Sequence, residues 1–131
     1  IPANVRVIEQ GQFSQEVTPR GKSGPSIAGK EFKDSPMRQG INDYTHWFAN
    51  DHDMAGDYYG YDGPCPPWND SIVHQYTFTV YALDVAEIEL PTDGKLKLSS
   101  VQRRMQGHVL AQASWMGQYT LTPRLAAAFE I

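Results

Sequence analysis

The sequence has very little cysteine and no long apolar run. Cys65 is the single cysteine among 131 residues, which excludes a disulfide within the chain and a zinc site built from several cysteines. No run approaches the ~18 consecutive apolar residues of a membrane-spanning helix. The sequence also contains no internal repeat and no low-complexity tract. These absences leave a globular domain of ordinary size as the predicted class.

Positive charge is also scarce. Lys and Arg together number 11 against 15 for Asp and Glu, which gives a formal net charge of -4. Binding to the nucleic-acid backbone generally needs an excess of positive charge, so a nucleic-acid partner is excluded as a general function. Hydrophobic residues make up 40% and charged residues 20%, the balance of a soluble globular protein. We therefore expect a soluble protein without a transmembrane segment, and the composition does not distinguish the cytoplasm from the periplasm.

The first half of the chain predicts loops more than regular elements. Gly and Pro punctuate residues 9–73 at short intervals, so residues 12–55 are interpreted as a long loop or insertion region. The chain begins Ile1-Pro2-Ala3 and enters a strand-like alternation almost at once. Because such a start suits a fragment, residues 1–131 are predicted to be a single domain that is part of a longer one.

Two regular elements are predicted in the second half. Residues 74–84 are β-branched and aromatic with a period of two, and neither face is strongly polar, so they predict a central strand covered on both sides. Residues 99–116 predict a helix, with Ser99 as N-cap and Gly117 as left-handed C-terminal residue. Its apolar residues recur at helical spacing: Val101, Met105, Val109, Ala113 and Met116. A short strand over 118–122 and a tail or short second helix are predicted to follow.

The segment from Asp57 to Tyr76 carries the residues best suited to a binding site. Prolines and glycines restrict its backbone or permit close approach to the main chain: Gly60, Gly63, Pro64, Pro66 and Pro67. His74 and Tyr76 lie two residues apart on a predicted strand, so their side chains point to one face. Both can donate to an oxyanion, and charge-assisted bonds of this kind contribute roughly 1.5–3 kcal/mol each. The alternative is that both are core polar residues with satisfied hydrogen bonds.

Three ordered motifs resemble one protein family. They are GYDGPCPP at residues 60–67, HxYxFTVYALD at residues 74–84, and MxGHVLAxA with a following Gly-x-Tyr at residues 105–119. In this order they resemble the phosphatidylethanolamine-binding protein family, in its bacterial Raf-kinase-inhibitor-like branch. Asn42-Asp43-Tyr44 resembles a further stretch of the family.

The resemblance implies a mainly β fold with peripheral helices, an antiparallel β-sandwich of one central sheet and a second, smaller sheet. It also implies a small anion pocket that accepts phosphate-bearing ligands, such as a phosphorylethanolamine head group of a phospholipid or a phosphorylated side chain. The ligand-binding residues carried over by position are His74, Tyr76, Tyr59, Gly60, Gly63, Pro64, Pro66 and Pro67. Gln75 stands where most members have Arg, on the opposite face of the strand. No catalytic residue, cofactor or metal is implied.

One part of the family pattern is missing. The Asp-Pro-Asp-x-Pro motif and the His-Trp pair, which supply about half of the family's pocket, are not found before Ile1. A sheet without its first strands would expose unpaired edges and apolar faces. We therefore expect the N-terminal strands to be absent from this chain and the stable protein to include more polypeptide, as a separate N-terminal piece or a homo-oligomer.

Other chemistry in the sequence is weaker. Residues 51–62 partly match an EF-hand frame but lack flanking helices. A transition-metal site is an alternative for four residues of one acidic region: His46, Asp51, His52 and Asp53. A solvated acidic loop is the simpler interpretation. A Cys65–His74 pair would be a nucleophile, but Cys65 lies between prolines and not at a helix N-terminus. His108 is predicted to be a buried, hydrogen-bonded core residue.

The sequence thus predicts a non-enzymatic binding protein for a phosphate-bearing ligand, with inhibition of a kinase or protease as an associated activity. His74 would donate to the anion, and Tyr76 would be a second donor or an aromatic wall. An ordinary imidazole titrates near pH ~6.5 and an anion favours its charged form, so phosphate binding should weaken as pH rises through neutrality. The alternative is a structural or interaction protein with an incomplete pocket and residues 12–55 as its partner surface. Its aromatic anchors would be Trp47, Phe48 and Trp68.

Overall fold

The computed structural model describes residues 1–13, 17–25, 37–89, 91 and 95–128. Within these residues the elements run in the order α1 (Tyr44–Trp47), β1 (His74–Leu83), α2 (Leu98–Met105), β2 (Val109–Tyr119) and α3 (Pro123–Ala126). The chain divides into two compact units. The first comprises Ile1–Asp62 and Leu83–His108, and the second comprises Gly63–Ala82 and Val109–Ile131.

The first unit is organised around Tyr58, whose side chain is fully buried. Its hydroxyl lies 2.6 Å from the carbonyl oxygen of Met54 and 2.9 Å from that of Thr18, so the phenol is satisfied away from water. Four further buried hydrophobic residues belong to the same unit: Met37, Tyr59, Leu96 and Met105. Because they come from well-separated stretches, this core joins the early loops to α2.

The region predicted as a long loop, residues 12–55, contains α1 and supplies backbone partners to the core. Lys22 forms an isolated parallel bridge with Tyr58, and Ile41 an antiparallel one with Tyr59. The ring of Tyr44 in α1 stacks on Phe48 at 5.6 Å between centroids and meets Tyr58 edge-on at 6.2 Å. Residues 14–16 and 26–36 of this region lie outside the described residues.

The second unit contains the sheet, a two-stranded antiparallel pairing of β1 with β2. The predicted strand over residues 74–84 is confirmed, because β1 spans His74–Leu83. The prediction that it is covered on both sides is wrong for the described residues, where its neighbour is β2 alone and Phe78 and Val80 remain at least half exposed. The small sheet and short helices fit the mainly β class, while the sandwich and the absence of N-terminal strands stay predictions.

The predicted helix over residues 99–116 is wrong beyond Met105. α2 begins at Leu98 with Lys97 as N-cap, in place of Ser99, and ends at Met105. Gly107 then adopts φ +81, and the chain continues directly as β2. Gly117, predicted to end a helix, lies inside this strand, which also absorbs the first residues of the short strand predicted over 118–122. The predicted tail begins with α3, and residues 129–131 lie outside the described residues.

A histidine–carboxylate pair closes the connection between the two strands. The backbone N–H of Asp84 donates to the carbonyl oxygen of His108 at 3.0 Å, and His108 Nδ1 lies 2.7 Å from Asp84 Oδ1. The His108 side chain is 44% exposed. The prediction of a buried core histidine is therefore wrong about burial, since the residue follows α2 instead of lying on its apolar face, but the hydrogen bond is present.

Candidate functional site

His74 and Tyr76 occupy the first and third positions of β1 and share one face. Both are partly buried, whereas Gln75 and Thr77 on the opposite face are exposed. The alternation expected from the sequence is therefore present at this end of the strand. It brings an imidazole and a phenol together on the less exposed face.

Asp70, which the sequence analysis did not single out, holds His74. Its Oδ2 lies 2.6 Å from His74 Nε2, and the two side chains are 23% and 31% exposed. Asp70 Oδ1 also accepts the backbone N–H of Ser71 at 2.6 Å. The hydrogen bond with His74, followed by the bond from Ser71, lowers the pKa of Asp70 below its ordinary value. The carboxyl group is therefore ionised at neutral pH and accepts hydrogen bonds only.

Thr122 anchors the loop that carries Asp70. Its Oγ1 lies 2.8 Å from the carbonyl oxygen of Asp70 and 3.2 Å from that of Trp68, and the residue is buried. Asp70 and Thr122 are 52 positions apart in sequence. The loop entering β1 is thus fixed by the residue that precedes α3, and the Asp70 carboxylate is held beside His74.

Tyr76 keeps its proton at neutral pH. Burial raises the pKa of its phenol, and the nearby Cys65 thiol and Tyr119 phenol raise it further. Cys65 is exposed and free. Among the described contacts, the imidazole of His74 bonds to Asp70 and none joins it to Cys65, so a thiolate–imidazole nucleophile finds no support in this geometry.

Two polar atoms of this face remain available. Within the described part of the chain, no hydrogen bond reaches His74 Nδ1 or Tyr76 Oη. The same residues contain no buried side-chain nitrogen or oxygen without a partner, so both atoms are in contact with solvent. A small oxyanion would find a ring nitrogen and a phenol hydroxyl on one face.

The glycine- and proline-rich segment over residues 60–67, here called the Gly-Pro loop, is divided between the two units. Gly63, Pro64, Pro66 and Pro67 belong to the second unit together with His74 and Tyr76, and Pro66 is the buried proline among them. The peptide bond between Gly63 and Pro64 is cis, as is that between Gly24 and Pro25.

Tyr59 and Gly60, the other predicted ligand-binding residues, belong to the first unit. Tyr59 is buried in its core. Gly60 has φ +88, and a Cβ atom there would clash with Gln39 Oε1. The structure therefore gives these two residues a packing role within their own unit.

Asn42, the first residue of the Asn-Asp-Tyr stretch that resembles the family, has a structural role. Its Nδ2 donates to the carbonyl oxygen of Gly60 at 2.9 Å and to Asp62 Oδ2 at 3.3 Å, and its Oδ1 accepts the N–H of Tyr44 at 3.0 Å. Asp62 also pairs with Lys22 Nζ at 2.7 Å, with side chains only 3% and 8% exposed. This buried network holds the first residues of the Gly-Pro loop in place.

The first unit also contains an open apolar cavity of about 370 Å³. Its lining includes Ile41, Leu96, Val101 and Arg38, and among the predicted site residues Gly60 contributes to it. His74 and Tyr76 are not among the lining residues of this cavity.

The acidic region over residues 51–62 forms turns. Asp51 Oδ1 accepts the backbone N–H groups of Asp53 and Met54, each at 2.9 Å. His52 and Asp53 pair at 3.0 Å but are almost fully exposed. No group of three or more His, Cys, Asp or Glu side chains in the described ranges is arranged to hold a metal ion. None of the helices described is long and apolar enough to cross a membrane.

This chain was compared with protein-family models and with curated proteins. The family model described as phosphatidylethanolamine-binding protein matches residues 1–120. A UPF0098 protein of Aquifex aeolicus is 38% identical over 85 residues, which are 65% of this chain and 41% of that protein. A UPF0098 protein of Methanothermobacter thermautotrophicus is 43% identical over 60 residues, 46% of this chain and 36% of that protein.

The Bacillus subtilis protein YxkA, described as uncharacterized, is 37% identical over 90 residues, 69% of this chain and 49% of that protein. The chain thus spans less than half the length of these curated relatives. No solved structure matches. Because the family model covers most of the sequence, including every motif on which the resemblance depended, this chain belongs to the phosphatidylethanolamine-binding protein family.

Proposed function

We propose that this protein is a non-enzymatic binding protein for a small phosphate-bearing ligand, and that His74 and Tyr76 contact the phosphate. The observation that carries the proposal is the pair of solvent-contacting atoms, His74 Nδ1 and Tyr76 Oη, on one face of β1. Membership of a family named for binding a phospholipid supports the same class of ligand.

The chemistry of this face suits an oxyanion. A protonated imidazole brings positive charge and a donor, and a neutral phenol brings a second donor. The carboxylate of Asp70 is occupied by its own hydrogen bonds. Backbone from Gly63 to Pro67 would form the rim, since it lies in the same unit and Cys65 is close enough to Tyr76 to affect its pKa. This arrangement requires no bond to be made or broken.

Titration calorimetry tests the proposal, with phosphorylethanolamine and phosphoserine as separate arms that distinguish a lipid head group from a phosphorylated side chain. We expect His74→Ala to weaken binding roughly 10- to 150-fold, the equivalent of losing one charge-assisted hydrogen bond of ~1.5–3 kcal/mol. Gln75→Ala, an exposed change on the opposite face, is the control and should bind as the unmodified protein does. Binding of neither ligand by the unmodified protein would refute the proposal.

The pH dependence of binding tests whether the imidazole is the charged donor. A histidine loses its proton near neutrality, so affinity should be higher at about pH 5.5 than at about pH 8. Tyr76→Phe should weaken binding while keeping this dependence, because it removes only the neutral donor. An affinity that does not change with pH would rule out His74 as a charged donor.

A second candidate is an interaction protein, and exposed tryptophans favour it. Trp47 and Trp68 are each 74% exposed, as expected of aromatic anchors for a protein partner. Phe48, the third predicted anchor, packs against Tyr44 and Tyr58 instead. Inhibition of a kinase or protease would use an exposed tryptophan of this kind. If Trp68→Ala abolishes inhibition of a test protease while phosphate binding is unchanged, the interaction function is separate from the anion site.

A further inference from the structure

The two ring nitrogens of His74 are in different situations. Nε2 lies 2.6 Å from Asp70 Oδ2, whereas Nδ1 has no partner among the described residues and is in contact with solvent. An ionised carboxylate can only accept a hydrogen bond, so the hydrogen of this bond must be on Nε2. The neutral ring therefore carries its proton on Nε2 and leaves the lone pair on Nδ1.

Asp70 cannot easily turn away from this ring. Its backbone carbonyl lies 2.8 Å from Thr122 Oγ1, its own Oδ1 accepts the N–H of Ser71, and Thr122 is buried. The carboxylate is thus fixed by groups outside β1, and it orients an imidazole that belongs to β1. Tyr76 lies on the same face as His74, and the Cys65 thiol and the Tyr119 phenol are close enough to Tyr76 to raise its pKa.

We propose that Asp70 is a positioning residue that assigns the roles of the two ring nitrogens: it holds Nε2–H, so that Nδ1–H of the protonated His74 ring donates to ligand phosphate while the Nε2–Asp70 bond stays intact. This inference rests on the proposed function. It adds that the Asp70 carboxylate favours phosphate binding although Asp70 and phosphate are both negatively charged. The reason is that the carboxylate orients the His74 donor before the ligand binds. Ordering one side chain in advance contributes about 2- to 12-fold in affinity.

The His108–Asp84 pair of the same chain serves as an internal comparison for the His74–Asp70 pair. In this pair, the carboxylate of Asp84 faces Nδ1 of His108, not Nε2. The two histidines should therefore show opposite tautomers when neutral, with the proton on Nε2 in His74 and on Nδ1 in His108. Both are measured in one nitrogen–proton NMR spectrum of the full chain with labelled histidine, with His74→Ala and His108→Ala to assign the signals.

Inorganic phosphate then serves as the probe. We expect phosphate to shift the Nδ1 resonance of His74 and leave Nε2 almost unchanged. Asp70→Ala should lose the single tautomer and bind phosphate about 2- to 12-fold more weakly. Asp70→Asn should restore both, because its amide oxygen still accepts from Nε2. Thr122→Val provides a second variant, in which the carboxylate is kept but its anchor is removed, and binding should fall less than in Asp70→Ala.

Failure of this inference differs from failure of the proposed function. If phosphate binds and perturbs Nε2, or if Asp70→Ala binds phosphate as well as or more tightly than the unmodified protein, Asp70 competes with the ligand and the inference is overturned while the proposed function stands. If the neutral ring of His74 carries its proton on Nδ1, the inference is also overturned. If the unmodified protein does not bind phosphate, both are refuted.

Discussion

Asp70 illustrates how a single loop residue can orient a side chain that belongs to a strand. It receives hydrogen bonds from His74 and Ser71, and its carbonyl is bonded by Thr122. Spacing within β1 was enough to predict that His74 and Tyr76 share a face. The sequence offered only one weak signal for Asp70, a carboxylate four positions before a histidine where a loop enters a strand. Thr122 could not be predicted, because its contact depends on the path of 52 residues.

Because the pKa of Asp70 is lowered in the folded protein, part of the stability of the protein is lost at low pH. Its folded pKa lies below the unfolded value of ~3.9, so the unfolded chain binds more protons as pH falls, and stability falls with it. The contribution is complete above the unfolded pKa and is lost as pH drops through the folded pKa. In urea titrations at about pH 6 and about pH 3, the unmodified protein should lose more stability than Asp70→Asn.

The control for this measurement is Asp43→Asn, since Asp43 is exposed and makes no capping hydrogen bond with its side chain. It should lose as much stability in acid as the unmodified protein. Equal losses in Asp70→Asn and the unmodified protein would mean that ionisation of Asp70 contributes nothing to folding.

The buried pair of Lys22 and Asp62 gives a second prediction at the residue scale. Both side chains are almost completely buried, so removing one partner leaves an uncompensated charge. Lys22→Met should lower the free energy of unfolding by about 3–5 kcal/mol, measured by chemical denaturation. The double variant Lys22→Met with Asp62→Leu should recover part of the loss. A double variant less stable than Lys22→Met would show that the Asn42–Asp62 contact matters more than the ion pair.

At the scale of elements, the boundary between α2 and β2 shows why pattern alone misplaced a helix. Met105, Val109 and Ala113 are four residues apart, and a spacing of four fits both one face of a helix and one face of a strand. β1 gave no such ambiguity, since β-branched and aromatic residues alternate through it. The deciding feature is backbone conformation at Gly107, where φ is +81.

Two glycine substitutions test this boundary. A Cβ at Gly107 meets nothing within 4 Å, but the positive φ is unfavourable for any L side chain, so Gly107→Ala should destabilise the protein by about 1–2 kcal/mol. Gly117 lies in β2 without a positive φ, and the nearest atom to its Cβ would be the ring of the exposed Trp115 at 3.2 Å. Gly117→Ala should therefore change thermal stability much less. A larger loss of melting temperature in Gly117→Ala than in Gly107→Ala would instead support Gly117 as the residue at which the helix ends.

At the scale of the whole molecule, burial is unevenly distributed. The buried hydrophobic residues of the described chain lie in the first unit, whereas the strands of the second expose Val80, Leu110 and Trp115 by at least 63%. A two-stranded sheet is marginally stable by itself. The family resemblance anticipated the mainly β class, but neither composition nor periodicity reveals which faces lie open, because that depends on which strands are neighbours.

Hydrogen exchange tests this distribution. Amides around Tyr58 and α2 should exchange slowly, and those of β1 and β2 should exchange faster by at least tenfold, since sparse burial lowers the local cost of opening. Mass spectrometry of peptides from the full chain gives both rates in one experiment. Comparable protection in both regions would contradict the prediction and show that further polypeptide covers the strands.

The way the chain is divided also determines when the protein can begin to fold during its synthesis. The buried core of the first unit, which includes Tyr58, is complete only once Leu96 and Met105 have been synthesised, because the second portion of that unit follows the strand β1. At translation rates of about 5–20 residues per second, the ribosome spends a few seconds on the intervening stretch. During that time the nascent chain exposes an unfinished core, so chaperones that recognise apolar segments would meet this protein before its first unit is complete.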